Sequence, residues 1–349
     1  MNEKLIINDA TLRDGSHALL HQLTSEQVEL YCNKIDKSGV DIVEVGHGNG
    51  LGASSLQVGE SLTPDRVLLQ AARKSLKNSK LGVFVVPGFA TIEKDLKPAI
   101  DIGADVFRIV SHCTEADTTE PHIKFCKKNG KTVFGVLLMC HMLEAEPLCQ
   151  EALKMQDYGA EGIILMDSAG YSLPEDVKTK VSYLVENLSV PVGFHAHNNL
   201  GMAIANSLEA VKSGALIIDA TARGFGAGAG NAQIEALAAV FQRRKEINSS
   251  LNLYELLDAA DIAEKFIINS MPHTSSINIA SGLAGVFSGF EKHVVRISEE
   301  FEVDPKDIFF ELGKRKILAG QEDMIINVAN DLAKDRQSKN DCFYITATG

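Results

Sequence analysis

Eight strand–helix repeats closed into an α/β barrel, with a small all-helical domain appended, is the fold the sequence predicts. Three observations predict it. Short Val- and Ile-rich runs alternate with helical patterns eight times, the mark of βα units and a parallel sheet. From about residue 250 the strand-like runs stop and only helical patterns remain. No G-x-G-x-x-G fingerprint stands in register, which weakens the competing doubly wound sheet with its dinucleotide crevice. Eight repeats closing on themselves make the TIM (β/α)8 barrel, whose reactive groups gather at the C-terminal ends of the strands.

The predicted strands are KLIIND (4–9), DIVEVG (41–46), LGVFVV (81–86), DVFRIV (105–110), TVFGVLL (132–138), GIILMD (162–167), PVGFHA (191–196) and LIIDAT (216–221). The helices between them have recognisable ends. In TSEQVELYCNKIDKSG, Thr24 offers an N-cap with Gln27 three residues on, and Gly39 offers a stop. LPEDVKTKVSYLVEN places Pro174 and two acids in its first turn. Four helical patterns then follow: NLYELLDAADIAEKFIINS, GLAGVFSGFEKHVVRISEEF, DPKDIFFELGKR and EDMIINVANDLAKD. The predicted division is a catalytic barrel over 1–248, a helical domain for partner docking or dimerisation over 249–337, and a tail without strong pattern over 338–349.

Composition narrows the function. A chain of 349 residues suits one barrel plus a smaller domain. The formal charge of −12 comes from 34 basic and 46 acidic residues with no Lys/Arg block, which argues against nucleic acid or an anionic membrane and favours a divalent cation. The six cysteines have no metal-site or Cys-x-x-Cys spacing and read as reduced thiols, and nothing marks Cys140 as an activated nucleophile. Neither a signal peptide nor an 18-residue apolar run is present, so a soluble cytoplasmic protein is expected.

The chemistry concentrates in two stretches. DATLRDGSH (9–17) follows the first strand and crowds Arg13, Asp14 and His17 onto the predicted rim. GFHAHNN (193–199) holds His195 and His197 two residues apart, so strand alternation turns both imidazoles to one face at the end of the seventh strand. Only the eighth strand separates the seventh from the first, so Asp14 can meet both histidines across the rim. Two His and one carboxylate with open positions form a ligand set for a cation that also binds substrate. Asn231, in the glycine-rich RGFGAGAGN (223–231), is a further candidate contact, or simply the cap of the last barrel helix. The donors favour Mn2+, Mg2+ or Co2+, with Zn2+ as an alternative. Ser168 in MDSAG is a candidate substrate contact or an ordinary turn residue, and His112, Cys140 and His141 are rim residues without an assigned part.

TLRDG, HCTEAD, FHAHNNLG, GAGAGNA and LAGQEDMI together resemble the 4-hydroxy-2-oxovalerate aldolases over residues 4–335. These are metal-dependent pyruvate aldolases of the superfamily that includes 3-hydroxy-3-methylglutaryl-CoA lyase and isopropylmalate synthase. The resemblance implies cleavage of a 4-hydroxy-2-oxoacid to pyruvate and an aldehyde through a pyruvate enolate. It implies Asp14, His195 and His197 as ligands of Mn2+, Arg13 as enolate stabiliser, His17 as acid/base and Ser168 as substrate contact. A pocket tyrosine of the family falls on Phe287 here, which places aldehyde choice and stereochemistry in question. An acylating aldehyde dehydrogenase docked on the helical domain is the implied partner, with a homo-oligomer as the competing use of that surface. An acyl-CoA-dependent Claisen enzyme of the same superfamily and a non-catalytic metal-binding or interaction protein are the rival functions.

Overall fold

Runs of Val and Ile leave a strand no polar face, so each must be covered on both sides. The structure, a computed structural model describing residues 3–245, 247–318 and 320–347, does this with a closed parallel barrel in chain order. Its strands are β1 Ile6–Leu12, β2 Ile42–Val45, β3 Lys80–Val85, β4 Val106–His112, β5 Thr132–Leu138, β6 Ile163–Asp167, β7 Val192–Ala196 and β8 Ile217–Ala220. Parallel pairing of β8 with β1, from Ile6 opposite Ile217 to Asp9 opposite Ala220, completes the ring. β1 runs on to Leu12, past the predicted end at Asp9, and shifts register against β2 between those residues. Arg13 and Asp14 therefore leave the barrel directly from the strand.

The helix Ser25–Ile35 carries the expected capping box, with Gln27 N–H donating to Thr24 Oγ1 at 3.2 Å and Thr24 N–H to Gln27 Oε1 at 2.9 Å. It ends four residues before Gly39, whose φ of +81° serves the following turn. One apolar layer lies between strands and helices, including Val43, Phe107, Leu165 and Phe194. A second fills the barrel interior with Ile42, Val106, Phe134, Ile164 and Ile217.

The helix Leu253–Phe266 belongs to the barrel. Its buried Leu256, Ala259, Ala260 and Ala263 join the barrel core, and Arg223 ties it down through Asp261 and Glu264. The predicted division at residue 248/249 thus falls ahead of a helix packed on the barrel. A separate apolar core is built from Val286, Phe290, Val294, Ile308, Phe309, Leu312, Ile325 and Val328, on the helices Ser276–Ala284, Glu291–Phe301, Pro305–Lys314 and Asp323–Ala347. The pattern read as one helix over 282–301 is two, because Gly285 at φ +66° terminates the first. The tail set apart at 338–349 continues the last helix to Ala347, and 348–349 lie outside the described residues. Among the described residues no helix is long and apolar enough to cross a membrane.

Asp9 of β1 is fully buried and accepts from the Tyr31 hydroxyl at 2.7 Å and the Thr11 N–H at 2.9 Å. Burial pushes its carboxyl up to about 6, although these hydrogen bonds oppose the rise. A folded-state value above the ordinary one means the folded protein keeps a proton that the unfolded chain has lost, so this group's contribution to stability declines as pH rises from about 4 to about 6. Asp9→Asn is expected to remove that decline. The Tm of the variant relative to the parent should rise between pH 4 and pH 7 in calorimetry, and a constant difference would contradict the assignment.

Candidate active site

The barrel mouth brings the two predicted stretches together. Arg13 and Asp14 follow β1, His17 lies in the short helix Gly15–Ala18, His195 ends β7, and His197 follows it with a bridge to Asn231. Asp14, His195 and His197 are all buried, and each offers a ligand atom within 4.8 Å of the others.

The protons in this group can be placed from its partners. Asp219 of β8 lies 2.9 Å from His195 Nδ1 through its Oδ2. Burial would raise the Asp219 acid, but Arg108 and His195 hold it below the ordinary carboxylate range. An ionised carboxylate only accepts, so His195 Nδ1 donates to Asp219 and the ring turns its Nε2 away from that partner. That Nε2 is buried without a partner, as are His197 Nδ1 and Asn231 Oδ1. Orphaned polar atoms of this kind are costly to bury, and two imidazoles and a carboxamide oxygen beside a carboxylate fit a divalent cation. Burial would also raise Asp14, but Arg13 and the neighbouring histidines more than offset it and keep the group ionised.

Arg13 is held by Glu44 of β2, Nε donating to Oε2 at 2.9 Å, and by Asp14, Nη1 donating to Oδ1 at 2.7 Å. Its guanidinium lies 4.1 Å above the Phe84 ring, and Nη2 is buried with no partner. One strong donor is thus left for a ligand oxyanion. Burial, only partly opposed by Asp14, pushes His17 down to about 4, so its imidazole is neutral near pH 7 and able to take a proton. The Lys292 ammonium reaches across from the helix Glu291–Phe301 to the His17 and Ala18 carbonyls at 3.3 and 3.1 Å.

A cavity of about 470 Å³ opens over these groups, lined by Arg13, Asp14, His17 and His197 together with the apolar Phe84, Val86, Val110, Leu138 and Met166. Phe287 lines it from the helical domain, packed edge-on against Phe290 at 5.6 Å. His112 also lines it, whereas His141 donates from Nε2 to the Gly285 carbonyl at 3.1 Å.

Two expectations change. Ser168 is not among the residues lining this cavity. Its Oγ accepts from the Met139 N–H at 3.1 Å, and its carbonyl accepts from the Ser288 N–H at 3.1 Å, so it joins two rim loops and the helical domain. Asn231 does not cap the last barrel helix, which starts at Ile234 with Gln233 as its cap. Its carboxamide instead donates to Asp14 Oδ2 at 2.6 Å, and the Ala227 N–H donates to the same oxygen at 3.2 Å. Burial raises the Cys140 thiol far from its ordinary value, in line with an inert cysteine.

Sequence reasoning missed Glu44, Arg108 and Asp219, which lie beneath the predicted groups. Arg108 Nη1 donates to Glu44 Oε1 and Oε2 at 3.1 Å each, and its Nη2 pairs with Asp219 Oδ2. Asp14, Arg13, Glu44, Arg108, Asp219 and His195 form one continuous buried chain, in which three carboxylates face two guanidiniums and leave one negative charge. The signal was available: a single charge inside each of IVEV, VFRIV and IIDA, where every neighbour is apolar.

Residues 4–263 match the HMGL-like family and residues 272–334 the DmpG-like communication domain. A 4-hydroxy-2-oxovalerate aldolase of Spirochaeta aurantia is 56% identical over 328 residues, covering 94% of this chain and 96% of that protein. The enzyme of that name from Pectobacterium atrosepticum is 53% identical, covering 97% and 98%. The chain belongs to the 4-hydroxy-2-oxovalerate aldolase family. In fold it is similar to HMG-CoA lyase from Brucella melitensis, with TM-score 0.63, 15% identity and coverage of 75% of this chain and 98% of that one. It is also similar to the carboxyl transferase domain of Rhizobium etli pyruvate carboxylase, with TM-score 0.77, 14% identity and coverage of 95% and 61%.

The glycine-rich segment of this aldolase-family chain has one position of direct consequence. A Cβ at Gly226 would stand 2.0 Å from Asn231 Nδ2 and 2.3 Å from Asp14 Oδ2. Gly226→Ala is expected to displace both side chains, weaken divalent-cation binding by about tenfold or more and lower Tm, because Asp14 is ion-paired with the buried Arg13. Calorimetric titration of metal-stripped protein checks this, and unchanged affinity would separate Asp14 from the cation.

Proposed function

We propose that this carbon–carbon lyase cleaves a 4-hydroxy-2-oxoacid to pyruvate and an aldehyde. The observation that carries the reading is the convergence of Asp14, His195 and His197 next to Arg13, whose Nη2 is unpaired, at a cavity that Arg13, Asp14 and His197 line together with apolar side chains. Asp14, His195 and His197, with Asn231 Oδ1 within reach, would hold a divalent cation that supplies Lewis acidity at the C2 carbonyl. We favour Mn2+, because carboxylate and carboxamide donors beside imidazole suit it and no thiolate is present.

Arg13 donates from Nη2 to the C2 oxygen as negative charge develops there during scission of the C3–C4 bond. Glu44, Asp14 and the Phe84 face hold the guanidinium in place, so it needs no rearrangement at that moment. His17, neutral near pH 7, accepts the C4 hydroxyl proton as the aldehyde carbonyl forms, and as an acid it returns a proton to C3 so that the enolate becomes pyruvate. Phe84, Val86, Val110 and Leu138 exclude water from the apolar end of the substrate. Phe287 presents a ring edge without a hydroxyl, so the aldehyde's oxygen receives no hydrogen bond from that side.

The match of residues 272–334 to a communication domain supports an aldehyde dehydrogenase as partner, an acylating one in our reading. An acyl-CoA-dependent condensation is less well supported, since the named relatives at 46–56% identity are aldolases.

His17→Ala is expected to lower pyruvate release by about 10²–10⁴-fold and to leave Mn2+ affinity near the parent's. A lactate dehydrogenase-coupled assay over a panel of 4-hydroxy-2-oxoacids reads it, and parental turnover in the variant would remove His17 from the step. Chelation should abolish turnover and added Mn2+ restore it. Phe287→Tyr is expected to reorder kcat/KM across the panel, whereas an unaltered order would exclude this position from aldehyde choice.

A further inference from the structure

We propose that Arg108 is a positioning residue that couples the cation-binding His195 to the oxyanion donor Arg13. The inference rests on the aldolase reading for the parts given to those two residues. Arg108 stands on β4, across the barrel from both stretches that the motifs single out, and touches neither the cavity nor a candidate ligand. It is the largest fully buried side chain among the described residues.

Its two carboxylate partners explain the position. Glu44 is gripped from one side by Arg108 Nη1 and from the other by Arg13 Nε. Asp219 Oδ2 is shared between Arg108 Nη2 and His195 Nδ1. The planar fork of one guanidinium therefore sets the orientation of both carboxylates, and each carboxylate sets one reacting group. Asp219 orients the His195 ring through Nδ1 and leaves Nε2 without a partner, where it would serve a cation, while Glu44 aims Arg13 so that Nη2 stays free.

Core filling does not account for this arrangement. The barrel interior around it is packed with Ile, Val and Phe, and buried ion pairs replaced by apolar residues of similar volume often leave a protein equally or more stable. Arg108 Nε, moreover, has no partner at all, a cost that a purely structural residue would not retain. What an apolar residue could not do is hold two carboxylates in fixed relation.

The test compares Arg108→Met, Arg108→Lys, Asp219→Asn and Glu44→Gln in the full chain, stripped of metal. Calorimetric titration measures the affinity for Mn2+ and then, at saturating Mn2+, for pyruvate. Asp219→Asn is expected to weaken Mn2+ by about 10–100-fold and leave pyruvate within about twofold. Glu44→Gln should do the reverse, leaving Mn2+ alone and weakening pyruvate by about tenfold, the scale of one charge-assisted hydrogen bond. Arg108→Met should weaken both.

Arg108→Lys, which keeps the charge but not the fork, should restore Tm without restoring either affinity, and it carries the test if Arg108→Met fails to fold. Parental affinities in Arg108→Lys would overturn the coupling, as would equal weakening of both ligands in every variant, the mark of general loosening. Neither readout depends on turnover. A parent that binds Mn2+ and pyruvate but releases no pyruvate from any 4-hydroxy-2-oxoacid would sink the aldolase reading and leave the coupling to be decided by the variants. A parent that takes up neither ligand would overturn both.

Discussion

The molecule depends on the backbone pairing of β8 with β1. It is the closure that turns an open run of repeats into a ring, and it brings Asn231 within hydrogen-bonding distance of Asp14 across a sequence separation of 217 residues. Without it β8 and β1 would be the two edges of an open sheet, with His195 and His197 near one edge and Asp14 at the other. Closure is secured on the outside as well, where Arg223, in the left-handed region at φ +55°, pairs with Glu235, Asp261 and Glu264 and clamps the last barrel helix to the one that follows. The site is a product of topology before it is a product of side-chain chemistry.

The second constraint is electrostatic. Burying three carboxylates and two guanidiniums among apolar strands would be ruinous if any one stood alone, since breaking a buried pair costs about 3–5 kcal/mol. Here each charge is met by the next one along, and the chain ends at the group that would receive a cation. The residual negative charge and the three unpartnered atoms His195 Nε2, His197 Nδ1 and Asn231 Oδ1 would all be served by a dication. Pairing then costs little, because the donors are already desolvated and already oriented.

The barrel and the convergence of Asp14, His195 and His197 were legible in the sequence because both rest on periodicity. Strand runs repeat, a His-x-His alternates onto one face, and the seventh and first strands are one strand apart. What escaped depends on contacts that periodicity does not encode. Ser168 looks like a rim hydroxyl, but tertiary packing uses it for the Met139 N–H. Asn231 looks like a cap, but the chain bends for two more residues before the helix starts. Glu44, Arg108 and Asp219 were hidden inside apolar runs, where the eye credits the hydrophobic majority; a lone charge in a run buried on both faces should instead be read as half of an unseen pair. Phe287 was found only through resemblance, because the pattern around it read as unbroken helix until Gly285 interrupts it.

That interruption has a consequence for how the chain can be divided. Between the two helices the backbone drops Phe287 over the cavity, joins Ser288 to Ser168 and seats Gly285 on His141, while Lys292 straps the turn bearing His17. Four separate fastenings run from the final quarter of the molecule to the rim of the ring. A shortened form ending near residue 270 would keep its strands and lose its ceiling. The portion that matches a communication domain is thus also the roof of the cavity that Arg13, Asp14 and His197 line.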